Sequence, residues 1–534
     1  QGSEDNTFIG YRVGGGTWAN AASNGNVGIG NYTMDSALDG ALGNVSLGHY
    51  AVSSLTTGDY NIGIGSNAGL SITTGANNII LGRLAGDTMT ATSNTVIIGF
   101  EAGQAINATG ANGTVAIGYK AGYAITSAAG STFIGNSAGQ EHVTGDSNTA
   151  IGQNAMYDSN GVAGYHNTFL GVNSGAGGWT TGAPTYNVGI GNFTLDGAMN
   201  GATYNTTIGY SSLSGITTGD YNTAVGGRAL DSVVTGTGNT AVGYDAGGVY
   251  TAGGGVFMGY EAGLSLTSGD TALIGYQAGK RMVGTGNVGL GYGVLYGASS
   301  TAANNTGTYN TAMGVQALRW VSKTVGSTGI GAEAGYYITG SYNTFVGYKS
   351  GYGSITSAPY SSGGNNTAVG YATLHNTTSG NDNVAIGYRA GIATTSASGS
   401  VMIGSGAGDA TTTGNGHVAI GYGALGSGNA TADGAVAIGY MAGNTFTNAG
   451  NEGSVYIGYK AGQGIVNSTV VMIGYKAGSS YSGTGKGEGV TLIGHRAGLN
   501  SNDDAINNTA VGYASLYANT AGERNTVMGR NAGF

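Results

Sequence analysis

The chain has 534 residues, with 110 Gly, 2 Pro, no Cys and only 8% charged residues, for a net charge of −9. The 16 Lys and Arg are scattered almost singly, which excludes an electrostatic footprint for nucleic acid or an anionic membrane, and no apolar run is long enough to span a bilayer. Glycine this abundant without a Gly-X-Y period excludes collagen, and regularly placed aliphatic residues exclude a disordered linker.

The chain opens on Gln1 rather than Met, as expected if a leader was removed or a longer chain trimmed. Residues 1–6 read as a bend leading into a first strand. From there one unit recurs to the last residues, in the form Asn239-Thr240-Ala241-Val242-Gly243-Tyr244-Asp245-Ala246-Gly247. Anchored on the glycine after the aliphatic residue, it occurs thirty times, from Gly10, Gly30 and Gly48 to Gly512 and Gly529, most often 17 residues apart and within 16 to 23. A short period over a whole chain signals a solenoid, because each unit is one supersecondary element stacked on its neighbours. We read residues 1–534 as a single continuous solenoid domain of about 30 coils.

Within a unit, Asn opens the repeat at Asn61, Asn78, Asn148, Asn222 and Asn239, and stacked coils would align these amides in a ladder. Next comes a strand signal, Thr or Val followed two residues later by Ile, Leu, Val or Met. The uniform aliphatic residue before the glycine reads as the core-facing one. The residue between, such as Phe8, Phe133, Ala150 or Phe169, then faces the other way and is also apolar or small. Both faces of the strand therefore want cover. Tyr follows the anchor in half the units, which predicts a broken aromatic column. A small residue three after the anchor, then Gly or Leu, predicts a second strand lying close against the first. A Thr/Ser/Gly/Asn bend closes the coil.

Longer steps mark protruding loops. Pro184 lies in the step from Gly171 to Gly191, and Pro359 in the step from Gly347 to Gly370, both where no ladder bond need be lost. Asn26–Gly30 matches Asn187–Gly191 and Trp18 matches Trp179, both 161 residues apart, which points to duplicated blocks of nine coils. Trp18, Trp179 and Trp320 fall in outer segments as candidate ligand contacts for a surface glycan or protein receptor. Phe133, Phe169 and Phe534 are candidate assembly contacts. The six His are far apart with no ligand spacing, and the Gly-x-Gly triplets do not open a helix after a strand. No catalytic, cofactor or metal site is expected, and the chain reads as a non-enzyme.

The units Asn239 to Gly247, Val115 to Gly122 and Val436 to Gly443 resemble the head repeats of trimeric autotransporter adhesins, and are similar to β-roll repeats of tail-fibre-like proteins. The resemblance implies a left-handed parallel β-roll wound by three identical chains. The expectation is thus an all-β, trimeric, parallel β-solenoid, a structural subunit of an extracellular or cell-surface fibre or adhesin shaft. Uncapped end coils would either let it grow end to end into a filament, with Phe534 entering the next copy, or mark where further domains were cleaved or not included. A phage-like tail fibre on a virion, binding a host receptor, and an ice-binding solenoid are the alternatives.

Overall fold

A computed structural model describes residues 2–18, 21–107, 109–267, 269–298, 305–353, 361–409, 411–427, 431–445, 452–464, 469–480, 489–501, 506–519 and 522–534. Pro359 and its loop lie outside the described residues. The chain forms two compact units, Gln1–Gly269 and Asp270–Phe534. Each is a parallel β-solenoid. The first carries strands β1 (Thr7–Ile9) to β15 (Val256–Met258), the second β16 (Ala272–Ile274) to β30 (Thr526–Met528), one strand per coil. The only other regular element among the described residues is a short 3-10 turn at Thr109–Ala111.

Strands of adjacent coils pair parallel and in register, so equivalent repeat positions lie side by side. Thr223 pairs with Thr240, Ala224 with Ala241 and Val225 with Val242. The anchor glycine makes this stacking feasible. Gly48 has φ +141°, and a Cβ built on it would lie 2.6 Å from the carbonyl oxygen of Gly65, the next anchor. Only a residue without a side chain permits that approach.

The structure corrects two expectations. The segment after the anchor is hydrogen-bonded from coil to coil, as in Gly69 N–H to Ala85 O (2.9 Å) and Gly86 N–H to Ala102 O (2.9 Å), but it is not a second strand. Its second and fourth residues are left-handed, as at Glu101 (φ 55°) and Gly103 (φ 54°), and alternating left-handed residues cannot continue an extended chain. The second correction is the phase of the strand. The middle residue points inward, so Phe133, Ala150 and Phe169 are fully buried. The aliphatic residue before the anchor points outward, and Leu47 and Ile208 remain 45% and 43% exposed. Alternation was legible, but which face closes on the coil depends on where the bend returns.

Core volume is conserved coil by coil. Ile80, Phe133, Phe169, Phe257, Phe345 and Met402 at the strand centre face Gly86, Gly139, Gly175, Gly263, Gly351 and Gly408, four residues after their anchors. A Cβ on Gly175 would lie 2.8 Å from the Phe169 ring. Conversely Leu195, Leu213, Leu230, Leu318 and Leu374 occupy the fourth position where the strand centre is Gly189, Thr207, Ala224, Ala312 or Ala368. These leucines accept a left-handed backbone, φ 52° at Leu213 and Leu230, because their side chains fill space that would otherwise be empty. Where both positions are small, as at Ala241 and Gly247, Leu230 and Phe257 reach in from flanking coils.

Buried amides run beside this core. Asn222 donates its backbone N–H (3.0 Å) and its Nδ2 (2.9 Å) to Asn205 Oδ1, while the same Nδ2 also donates to Gly236 O (2.9 Å). Asn205 stands in the same relation to Asn187, and Asn239 N–H continues the row on Asn222 Oδ1. Each side chain thus ties two coils together and satisfies a bend carbonyl that no strand reaches.

Candidate functional site

The outward face is the feature that the fold leaves uncovered. Within each unit three rows run along it at the coil spacing, about 4.8 Å. They are mostly Thr or Val three residues before the anchor, Ile, Val, Leu or Met one before, and often Tyr one after. In the first unit the aliphatic row includes Ile9, Ile29, Leu47, Ile151, Ile190 and Ile208, and in the second Leu290, Met313, Ile330 and Ile386, all exposed. β-branched residues give this face little rotamer freedom, so it is stiff as well as apolar.

The tyrosines stack. In the second unit Tyr348, Tyr371 and Tyr388 follow one another at ring-centroid distances of 5.6 and 5.1 Å. Tyr422, Tyr440, Tyr459 and Tyr475 do so at 5.2 Å per step, and His495 and Tyr513 extend the row at 4.9 Å. Ser405 interrupts the column between Tyr388 and Tyr422. A second stack lies in the bend before the strand of the first unit, His166–Tyr186–Tyr204–Tyr221, at 5.0, 4.9 and 5.3 Å.

Charges occupy the position two after the anchor and pair across coils. Lys120 meets Glu101 (3.6 Å), Arg228 meets Asp245 (3.2 Å) and Lys349 meets Glu333 (3.6 Å). These pairs are surface pairs, worth at most about 1 kcal/mol each.

The residues singled out in the sequence are dispersed. Trp179 is wholly inside, tilted against Phe169 with centroids 6.4 Å apart, so it offers no surface to a ligand. Trp18 is half-buried edge-on to Phe8 (5.8 Å) and donates Nε1–H to Gly14 O (3.1 Å). Trp320 is half-buried against Tyr296 (5.8 Å). Phe133 and Phe169 are interior packing rather than surface contacts, because the strand centre points into the coil. Phe534 is exposed and stacks on Tyr517 (5.2 Å). Sequence reasoning missed the outward aliphatic row itself, through the inverted phase.

Among titratable groups, burial lowers His142 to about 4, and its Nε2–H donates to Gly145 O (3.1 Å). Burial likewise lowers His417 and raises Asp196 to about 6. No three His, Asp or Glu among the described residues are placed to share a metal ion, and no helix among them is long and apolar enough to cross a membrane.

No protein-family model matches the chain, and no curated protein does. Its repeats, faces and columns are what speak to its role. The apolar, β-branched sheet face is what the described coils leave uncovered.

Proposed function

We propose that this chain is a non-enzymatic structural subunit of an extracellular fibre or adhesin shaft, assembled as a parallel homotrimer through its outward sheet face. One observation carries the reading: the aliphatic row, with Ile29, Leu47, Ile190, Ile208, Met313 and Ile386, remains exposed along both units. With so few charges on the chain, a monomer would leave this stripe in water, and a closed symmetric oligomer covers it on every copy at once. Parallel β-coils suit a shaft, since each coil pairs with its neighbours through backbone bonds and in-register amides.

End-to-end growth belongs to the same proposal. Where the coils of β1 and β30 are the molecule's end coils, stacking β1 of one copy in register on β30 of another would align Asn6 with Asn525, continuing the amide row, and Asp5 with Arg524. Sedimentation of the purified chain tests the assembly: a trimer is expected at micromolar concentration, and a stable soluble monomer there would sink it. Electron microscopy of native material tests the growth, with fibres expected and single short particles counting against it.

A further inference from the structure

The interruption of the tyrosine column at Ser405 is a slot built into the surface of the second unit. Tyr388 and Tyr422 are two coils apart, about 10 Å at the strand spacing, with no ring at the place between them. They are the most exposed members of their row, at 54% and 53%, against 40% for Tyr459 and Tyr475 stacked on both sides, because each turns a bare ring face to the gap. The floor is open as well. Gly406 and Gly423 occupy the position that carries a charged side chain in many other coils, and a Cβ built on Gly406 meets nothing within 4 Å.

The resulting cleft has a volume of about 280 Å³ and is lined by Tyr388, Arg389, Ser405, Asp409, Tyr422 and Asn444. That is close to the lower bound of small-molecule sites, about 300 Å³. Two of its charged groups, Arg389 and Asp409, lack an ion pair among the described residues. Cations two after the anchor elsewhere take an acid from a neighbouring coil, as Lys120, Arg228 and Lys349 do. Arg389 has Ala372 on one side and Gly406 on the other, and no ion pair among the described residues. The half-buried Asp409 carboxylate likewise has no side-chain hydrogen bond or ion pair among the described residues; burial pushes its pKa up, opposed by the nearby Arg389 charge. Asn444 is held in place by donating Nδ2–H to Gly423 O (2.9 Å).

We infer that this cleft binds a neutral hexopyranose ring, inserted between Tyr388 and Tyr422 in the place that a ring at position 405 would take. A pyranose has two C–H faces that pack on aromatic rings and a rim of adjacent hydroxyls that both donate and accept. Asp409 accepts from such a rim and Arg389 donates to it, each in a two-pronged geometry. An acidic sugar or a nucleotide would bring its anion beside the Asp409 carboxylate as well as Arg389, and a purely aromatic ring would offer neither of them a hydrogen bond as they were desolvated. The inference rests on one bend of one chain, and it requires the slot to stay open at the edge of the face that the proposed trimer covers.

The test is saturation-transfer NMR and calorimetry of the full chain with the methyl glycosides of glucose, galactose, mannose and N-acetylglucosamine. At least one should saturate in the millimolar range. Ser405→Tyr supplies the missing ring, and should keep the fold and its melting temperature while weakening that binding tenfold or more. Asp409→Ala, which leaves the rings untouched, should weaken it similarly. No binding by any of the four sugars, binding unchanged in both variants, or tenfold tighter binding of adenosine or free tryptophan than of every sugar would each overturn the inference.

Discussion

The exchange of volume between the strand centre and the fourth residue after the anchor can be tested within one coil. Phe133 at the centre of β8 (Thr132–Ile134) is fully buried over Gly139, φ +59°. Phe133→Ala removes a ring from a closed core and should cost about 3–5 kcal/mol. Gly139→Leu alone should cost about 2–4 kcal/mol, combining overpacking against that ring with a left-handed non-glycine residue. The two together recreate the pattern of Ala224 with Leu230, which this chain already uses at φ 52°. The double variant should retain only the left-handed cost of about 1–2 kcal/mol, a favourable coupling of at least about 3 kcal/mol. Because solenoid coils unfold partly independently, the measurement is native-state hydrogen exchange at β8 and at β9 (Thr149–Ile151), alongside denaturant melts. A double variant no more stable than Phe133→Ala would refute volume exchange as the rule.

Asn222→Ala leaves Gly236 O and Asn239 N–H without their partners and should cost about 1–3 kcal/mol per orphaned buried group, read as faster exchange in the two coils on either side. Gly226→Ala puts a Cβ at φ +133° onto the Gly243 carbonyl and should break the ladder locally, detectable as a new protease site there. Ile208→Lys with Ile190→Lys, on the exposed row, should leave circular dichroism unchanged yet shift the sedimenting species toward monomer; an unchanged trimer would remove this row from the interface. His142 is lowered from 6.5 to about 4, so it stabilises the fold fully above pH 6.5 and loses about 3 kcal/mol as pH falls through that window. His142→Ile, the residue type found at Ile125 in the preceding coil, should abolish that loss in urea melts at pH 7 and pH 4.5. Asp196, raised by burial to about 6, acts in the opposite sense, its contribution fading as pH rises from 3.8 through about 6, so Asp196→Asn should flatten that slope.

Periodicity alone determined the class. A glycine every 17 residues or so, behind an alternating Thr/Val and Ile/Val/Leu pair, admits a parallel solenoid and little else, because strict repetition makes each coil the template for the next. The Asn row and the broken Tyr column were legible for the same reason: equal spacing becomes adjacency once coils stack in register. What the spacing could not carry was direction. Two-residue alternation says that Ile151 and Ala150 face opposite ways, but only the returning bend, with left-handed residues at two positions, decides that Ala150 is enclosed and Ile151 exposed. The same bend brings Gly139 onto Phe133 and Leu230 beside Ala224, so the exchange of large for small between two positions six residues apart has meaning only after closure. The slot at Ser405 is of the same kind. In the chain it is a serine at a position that is tyrosine in half the units, and it becomes a cleft because stacking puts a tyrosine ring on either side of it, while the bend sets Asp409 and Arg389 at its rim.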